Sequence, residues 1–249
     1  MKNKKTEHVS NPRHVALLNE HSPFATKEAY NAVRTKLMFA AKGETCPVFA
    51  VTSSLMHDGK TTNAVNIAIS IAQAEKKVLL IDADMRRPSI HNYFGFDTKD
   101  GLSEILAGLT NGIRLRKTPY ENLNLLTSGQ IPPNPAELLG SEQMDRLLEY
   151  VRQYFDYVII DTPPVNIVTD ASVLAERVTG FLYVVQSGSN HFRDLDIGIR
   201  TLEQMNGRVV GLLLNDIDGS GAHHYTYRYG KYGYNNHYYR YSEKYGAYE

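Results

Sequence analysis

The 249-residue sequence carries 27 basic and 27 acidic side chains, with 42% apolar and 22% charged residues. That balance fits one α/β domain with a substantial core, and excludes both a global basic field for nucleic acid and an acidic disordered chain. The single cysteine, Cys46, cannot close an internal disulfide, so a reducing, cytoplasmic compartment is expected.

The N-terminal stretch MKNKKTEHVSNPRH is polar and lacks an apolar centre, so it does not read as a signal peptide. Residues 1–21 are expected to form an N-terminal arm. A helix is predicted after Ser22-Pro23, where Ala29, Tyr30, Val33 and Leu37 share one face and Glu28, Asn31 and Arg34 the other. Six short apolar runs follow, at 48–52, 78–82, 123–127, 157–161, 181–185 and 209–215. They are continuous rather than alternating, as strands covered on both faces require. Helical stretches are predicted between them at 61–75, 141–153, 170–178 and about 191–205. Strand–helix alternation predicts a doubly wound, mainly parallel sheet with helices on both faces. No run of about 18 apolar residues occurs, so no membrane span is predicted. After Asp218 the aliphatic residues nearly vanish, which sets the expected boundaries: a domain over 22–218 and a flexible tail over 219–249.

The first strand runs into SSLMHDGKTT and then a helix. Ser54-x4-Gly59-Lys60-Thr61 is a Walker A element with serine in place of the first glycine. In that context the loop backbone from Asp58 through Thr62 points N–H groups at phosphate oxygens. Lys60 would bridge the β and γ phosphates and Thr61 would ligate Mg²⁺. VLLIDADMRRP puts Asp82 and Asp84 two apart at a strand end, on one face, and YVIIDTPP puts Asp161 at another. Each aspartate alone also suits a helix cap or turn. Together, at the carboxyl ends of parallel strands, they are expected to converge on one Mg²⁺–nucleotide. Asn215, after the last strand, suits a base contact or a turn.

The tail from His223 to Glu249 holds ten of the 17 tyrosines: Tyr225, Tyr227, Tyr229, Tyr232, Tyr234, Tyr238, Tyr239, Tyr241, Tyr245 and Tyr248. Their flanking residues share no pattern, so recognition by tethering is expected rather than by a fixed motif.

SSLMHDGKTT, VLLIDADMRRP, YVIIDTPP and the tyrosine cluster together resemble the bacterial tyrosine kinases of capsule and exopolysaccharide systems. The closest pattern is the separate cytoplasmic catalytic chain of Gram-positive bacteria. The resemblance covers about residues 22–218 plus the tail. It implies a P-loop NTPase-type fold, ATP and Mg²⁺ as cofactors, and phosphoryl transfer to the ten tail tyrosines in trans between subunits. By the same resemblance Lys60, Asp82 and Asp84 are catalytic, with Asp82 taking the proton from the incoming hydroxyl. Asp58, Gly59, Lys60, Thr61, Thr62 and Asn215 bind nucleotide, and Thr61, Asp82, Asp84 and Asp161 organise the metal. Arg86 and Arg87 suit either phosphate or acceptor contacts, or plain salt bridges. The family also builds a subunit ring through Glu-x-x-Arg-x-x-Arg; Glu28 and Arg34 match it, and Asn31 replaces the first arginine. Implied partners are a transmembrane activator that controls polysaccharide chain length, which recruits the chain to the inner membrane face, and a cognate phosphotyrosine phosphatase. No nucleic-acid partner is expected.

Two rival readings fit parts of the sequence. A partition-type ATPase shares the Walker elements, but its usual early lysine would fall at Leu55. A Tyr/Gly/Arg tail binding RNA from an inert P-loop fold is the other.

Overall fold

The computed structural model describes residues 17–110, 112–188 and 191–215. The tail, its ten tyrosines and most of the N-terminal arm therefore lie outside the described residues.

Seven strands form one sheet: β1 (Val48–Ser53), β2 (Val78–Asp82), β3 (Arg116–Lys117), β4 (Leu123–Leu126), β5 (Tyr157–Asp161), β6 (Gly180–Gln186) and β7 (Val209–Asn215). Their order is β3-β4-β2-β5-β1-β6-β7, parallel throughout except for the short β3 against β4. The chain passes from β1 over β5 to β2, then returns to the far side of β1 for β6. Crevices at the carboxyl ends of strands open at such reversals.

The continuous apolar runs sort into two cores by the strand period of two. Val48, Ala50, Leu79, Ile81, Val158 and Ile160 face one layer, with Leu139, Met144, Leu148 and Leu202 from its helices. Phe49, Val51, Val78, Leu80, Tyr157 and Ile159 face the other, with Leu37, Ala64, Ile67 and Ile71. Both faces are thus covered. The helices are α1 (Phe24–Ala40), α2 (Lys60–Ala72), α3 (Ile90–Phe94), α4 (Leu102–Leu106), α5 (Pro135–Leu139), α6 (Glu142–Val151) and α7 (Phe192–Gln204). No described helix is long and apolar enough to cross a membrane.

One expectation needs correction, and two features add to the sequence reading. The stretch 170–178 is not an α-helix; it holds a single 3₁₀ turn, Ser172–Leu174. Three i→i−3 bonds run through it, from Leu174 N–H to Ala171, Ala175 to Ser172 and Arg177 to Leu174, beside one i→i−4 bond from Val173 to Thr169. Asp170 and Arg177 at its two ends are drawn to other elements, Asp170 by Arg86 and Arg177 by Asp145 and the Gly140 carbonyl. Second, the N-terminal arm is docked at its inner end: Leu18 is buried, and its N–H donates to Asn66 Oδ1 at 2.8 Å. Third, the sequence does not predict the five-residue helices α3, α4 and α5 or the two-residue β3. Elements this short carry too few residues to show a period.

Candidate active site

The P-loop joins β1 to α2. Gly59 caps α2 with φ +88°, a left-handed conformation suited to glycine, and a Cβ there would collide with the Asn215 amide. Asp58 points inward: its carboxylate accepts from Leu55 N–H at 2.9 Å and closes the loop on itself. Asn215 braces the loop from β7. Its amide donates to the Asp58 carbonyl (3.1 Å) and to Gln186 Oε1 (3.0 Å), and accepts from Asn63 Nδ2 (3.0 Å). The sequence offers Asn215 as a base contact or a turn residue; its amide here is hydrogen-bonded to Asp58, Gln186 and Asn63. The first-turn N–H groups of α2 have no intrahelical partner by geometry, and no acidic side chain lies in that turn. The helix start is therefore electropositive and open to an anion.

The strand ends bring the acids to this point. Lys60 Nζ contacts Asp84 Oδ2 at 3.1 Å, and Thr61 Oγ1 donates to Asp161 Oδ2 at 2.7 Å. Asp82 Oδ2 accepts two backbone N–H groups, Ser89 (3.1 Å) and Ile90 (3.0 Å) at the start of α3. Its register partner across β2 and β5 is Asp161. Burial, then the neighbouring Asp161 charge, pushes Asp82 up to about 8. Burial pushes Asp161 up to about 6 against the pull of Lys60. Burial also opposes charge on Lys60, but Asp161, Asp84 and Asp82 outweigh it and raise its pKa.

Asp82 Oδ1 and Asp161 Oδ1 are buried without a hydrogen-bond partner. Buried carboxylate oxygens left in that state fit a hard cation. Among the described residues no three His, Cys, Asp or Glu side chains form a cage by themselves.

A cleft of about 560 Å³ opens over this floor. Gly59, Lys60, Thr61, Thr62 and Asp84 line its inner part, and Met56, Arg86, Arg87, Pro163, Ile167 and Val168 its outer part. Tyr93 from α3 also lines it and bonds Thr62 Oγ1 at 3.2 Å.

Sequence reasoning misses Tyr183, Gly198 and Asp170. Ser54, at the place of the first Walker glycine, hydrogen-bonds the Tyr183 hydroxyl at 3.0 Å beneath the loop. Tyr183 is wholly buried, which pushes its pKa up to about 12. Gly198 in α7 makes room for it, since a Cβ there would meet the Tyr183 hydroxyl. Asp170, also wholly buried, holds Arg86 by two bonds of 2.9 Å. Only the partner positions, 84 and 129 residues away, would have revealed these roles.

The oligomer candidates lie on α1, away from the cleft. Arg34 Nη1 donates to the Ser70 carbonyl of α2 at 2.8 Å, and Asn31 Nδ2 donates to Glu28 Oε1 at 2.9 Å.

Residues 57–179 match the family described as AAA domain. The chain is 36% identical over 211 residues to the tyrosine-protein kinase CpsD of Streptococcus agalactiae, covering 84% of this chain and 90% of CpsD. The chain belongs to the bacterial tyrosine-protein kinase family. It is also 37% identical over 196 residues to the tyrosine-protein kinase ptk of Acinetobacter johnsonii, covering 78% of this chain and 27% of ptk. The chain thus spans about a quarter of ptk but nearly all of CpsD. Among solved structures, the kinase domain of Escherichia coli tyrosine kinase ETK superposes with a TM-score of 0.74 at 35% identity, covering 84% of this chain and 79% of that one. The P-loop and Asp84 thus line one cleft in a chain whose relatives are tyrosine kinases.

Proposed function

We propose that this kinase transfers the γ-phosphoryl group of MgATP to tyrosines of its own C-terminal cluster, Tyr225 to Tyr248, in trans between subunits. The observation that carries the reading is the meeting of Lys60, Thr61, Asp82, Asp84 and Asp161 at three strand ends under one P-loop.

Thr61, Asp82, Asp84 and Asp161 are the residues that would hold Mg²⁺, directly or through water. The ion, when bound, neutralises charge on the β and γ phosphates. Lys60 exchanges its contact with Asp84 for the phosphates, while the first turn of α2 supplies N–H donors to them. In transfer, the tyrosine oxygen bonds to the γ-phosphorus, the bond from that phosphorus to ADP breaks, and the hydroxyl proton passes to a carboxylate. Asp82 is the proposed acceptor of that proton.

The 31 residues from Gly219 to Glu249 would span ~30 Å as a random chain, enough to reach a neighbouring subunit. High local concentration then replaces motif recognition. Each phosphate adds about −1.5 to −2 charges at neutral pH, so multiple phosphorylation expels tails and loosens the assembly. Within this reading the subunits associate through the α1 surface at Glu28 and Arg34, as a ring. A transmembrane activator recruits the kinase to the inner membrane face, a phosphatase resets it, and the cycle regulates capsular or exopolysaccharide synthesis. Support for these last points comes from the family resemblance. The test is mass spectrometry of the full chain after incubation with MgATP and a cytoplasmic activator fragment, alongside Lys60→Met. Phosphate on the tail tyrosines of the wild type alone supports the reading, and an unmodified wild-type tail overturns it.

A further inference from the structure

The P-loop is fastened from both faces of the sheet. On one face its exit runs into α2, whose Ala64, Ile67 and Ile71 pack into the core there. The later loop residues are held by Asp58 and Asn215, and by Asn63 Nδ2, which donates to the Gly59 carbonyl at 2.9 Å. The entry has other supports. Ser53 Oγ donates to the Leu55 carbonyl at 2.8 Å, a bond local to the loop. Tyr183 reaches the entry from the neighbouring strand, β6.

Tyr183 belongs to the core on the face opposite α2. β6 runs parallel to β1 with Tyr183 beside Thr52. Its hydroxyl therefore reaches two residues ahead, to the point where the chain leaves β1. There it meets Ser54 Oγ at 3.0 Å, and both residues are wholly buried.

Three locally unfavourable choices meet at this bond. Serine stands where a Walker loop usually has glycine. Tyr183 carries a hydroxyl into an apolar core, which is costly unless the hydroxyl is bonded; Phe181, two residues earlier, fills the same core without one. Gly198 weakens the middle of α7, yet a Cβ there would collide with the Tyr183 hydroxyl. Each choice is explained by the other two, and none by filling space. Local rules broken together at one place mark a functional demand.

The loop's N–H groups grip phosphate only when its backbone holds one shape. Fixing that shape before binding spares the ligand the ordering cost. A buried hydrogen bond at the entry does this without touching the ligand.

We propose that Tyr183 is a positioning residue for nucleotide binding: through Ser54 it pegs the entry of the P-loop to the sheet face opposite α2, and Gly198 is the notch that admits it. This rests on the P-loop being the nucleotide site, and adds the support that sets its affinity.

The experiment titrates the full chain with a fluorescent ADP analogue and Mg²⁺, followed by anisotropy. ADP suffices because the loop cradles the α and β phosphates. Tyr183→Phe keeps the ring and is expected to weaken binding about fivefold, the worth of one buried hydrogen bond. It should also lower the urea midpoint, since the Ser54 hydroxyl is left unpaired. The double variant Tyr183→Phe/Ser54→Ala should regain the midpoint, because no buried hydroxyl is then unpaired. Its nucleotide binding should stay about fivefold weak, because the peg is still missing. An affinity within about twofold of wild type in Tyr183→Phe would overturn the proposal. So would a double variant whose affinity returns together with its midpoint, the result of a merely structural bond. A wild type that fails to bind ADP overturns the nucleotide reading of the P-loop instead.

Discussion

At the floor of the cleft the charged side chains are held by one another and by backbone, with one oxygen each of Asp82 and Asp161 left over. Lys60 holds Asp84, Thr61 holds Asp161, and Asp82 takes two backbone N–H groups, all with little or no exposure. A few residues beyond Asp161, at Asn166–Val168, the chain turns out toward solvent, with Ile167 53% exposed. The floor must freeze charges in place before reaction, because rearranging them during transfer would raise the barrier. Chemistry is therefore concentrated in a handful of unforgiving positions.

The sharpest way to break this contrast is at Lys60. Lys60→Met should lower phosphotransfer about a hundredfold or more, since a pre-placed charge at the reacting phosphate is removed. Quantitative phosphotyrosine measurement checks this, and thermal unfolding should show the fold intact. Asp161→Asn should separate activity from stability. It removes a buried charge, so it should abolish transfer while raising apo stability by about 1–2 kcal/mol in denaturant titration.

The floor also sets a pH dependence. Asp82 and Asp161 have folded pKa values of about 8 and about 6, both above the unfolded carboxylate range near 4. The folded state thus binds more protons than the unfolded one between these limits. Stability from this source is full below about pH 4 and is lost as pH rises through 6 and 8. In EDTA, denaturation midpoints should fall from pH 5 to pH 8. Added Mg²⁺ should flatten that fall, because a cation replaces the protons. A flat profile in EDTA would contradict the buried-acid account. The smallest effect is expected at the brace: Asn215→Ala removes hydrogen bonds to Asp58, Gln186 and Asn63. It should cost about 1–2 kcal/mol of stability, with nucleotide affinity falling in step as the loop loosens.

Much of this is legible in the sequence. Strands buried on both faces announce themselves as unbroken apolar runs, and the P-loop and the three acids stand at strand ends where a sheet of this kind binds ligands. What is not legible depends on meetings between distant segments. Tyr183 reads as one more residue of a buried strand until Ser54 is found above it and Gly198 beside it. Asp170 suits the start of a helix by its sequence, but its carboxylate belongs to Arg86 and the helix does not form. Asn215 stands out at a strand end, yet its partners lie on three other elements, so its bracing role appears only once the sheet is assembled. Arg34 suits a neighbouring subunit by its motif and reaches the Ser70 carbonyl of its own α2.

The central claim, transfer in trans to the tail, is tested most directly by mixing. Isotopically heavy Lys60→Met chain is combined with light wild-type chain, MgATP and the activator fragment, and tail peptides are separated by mass. Phosphotyrosine on heavy peptides spanning Tyr225 to Tyr248 is the expected result. Phosphate confined to light peptides would contradict it.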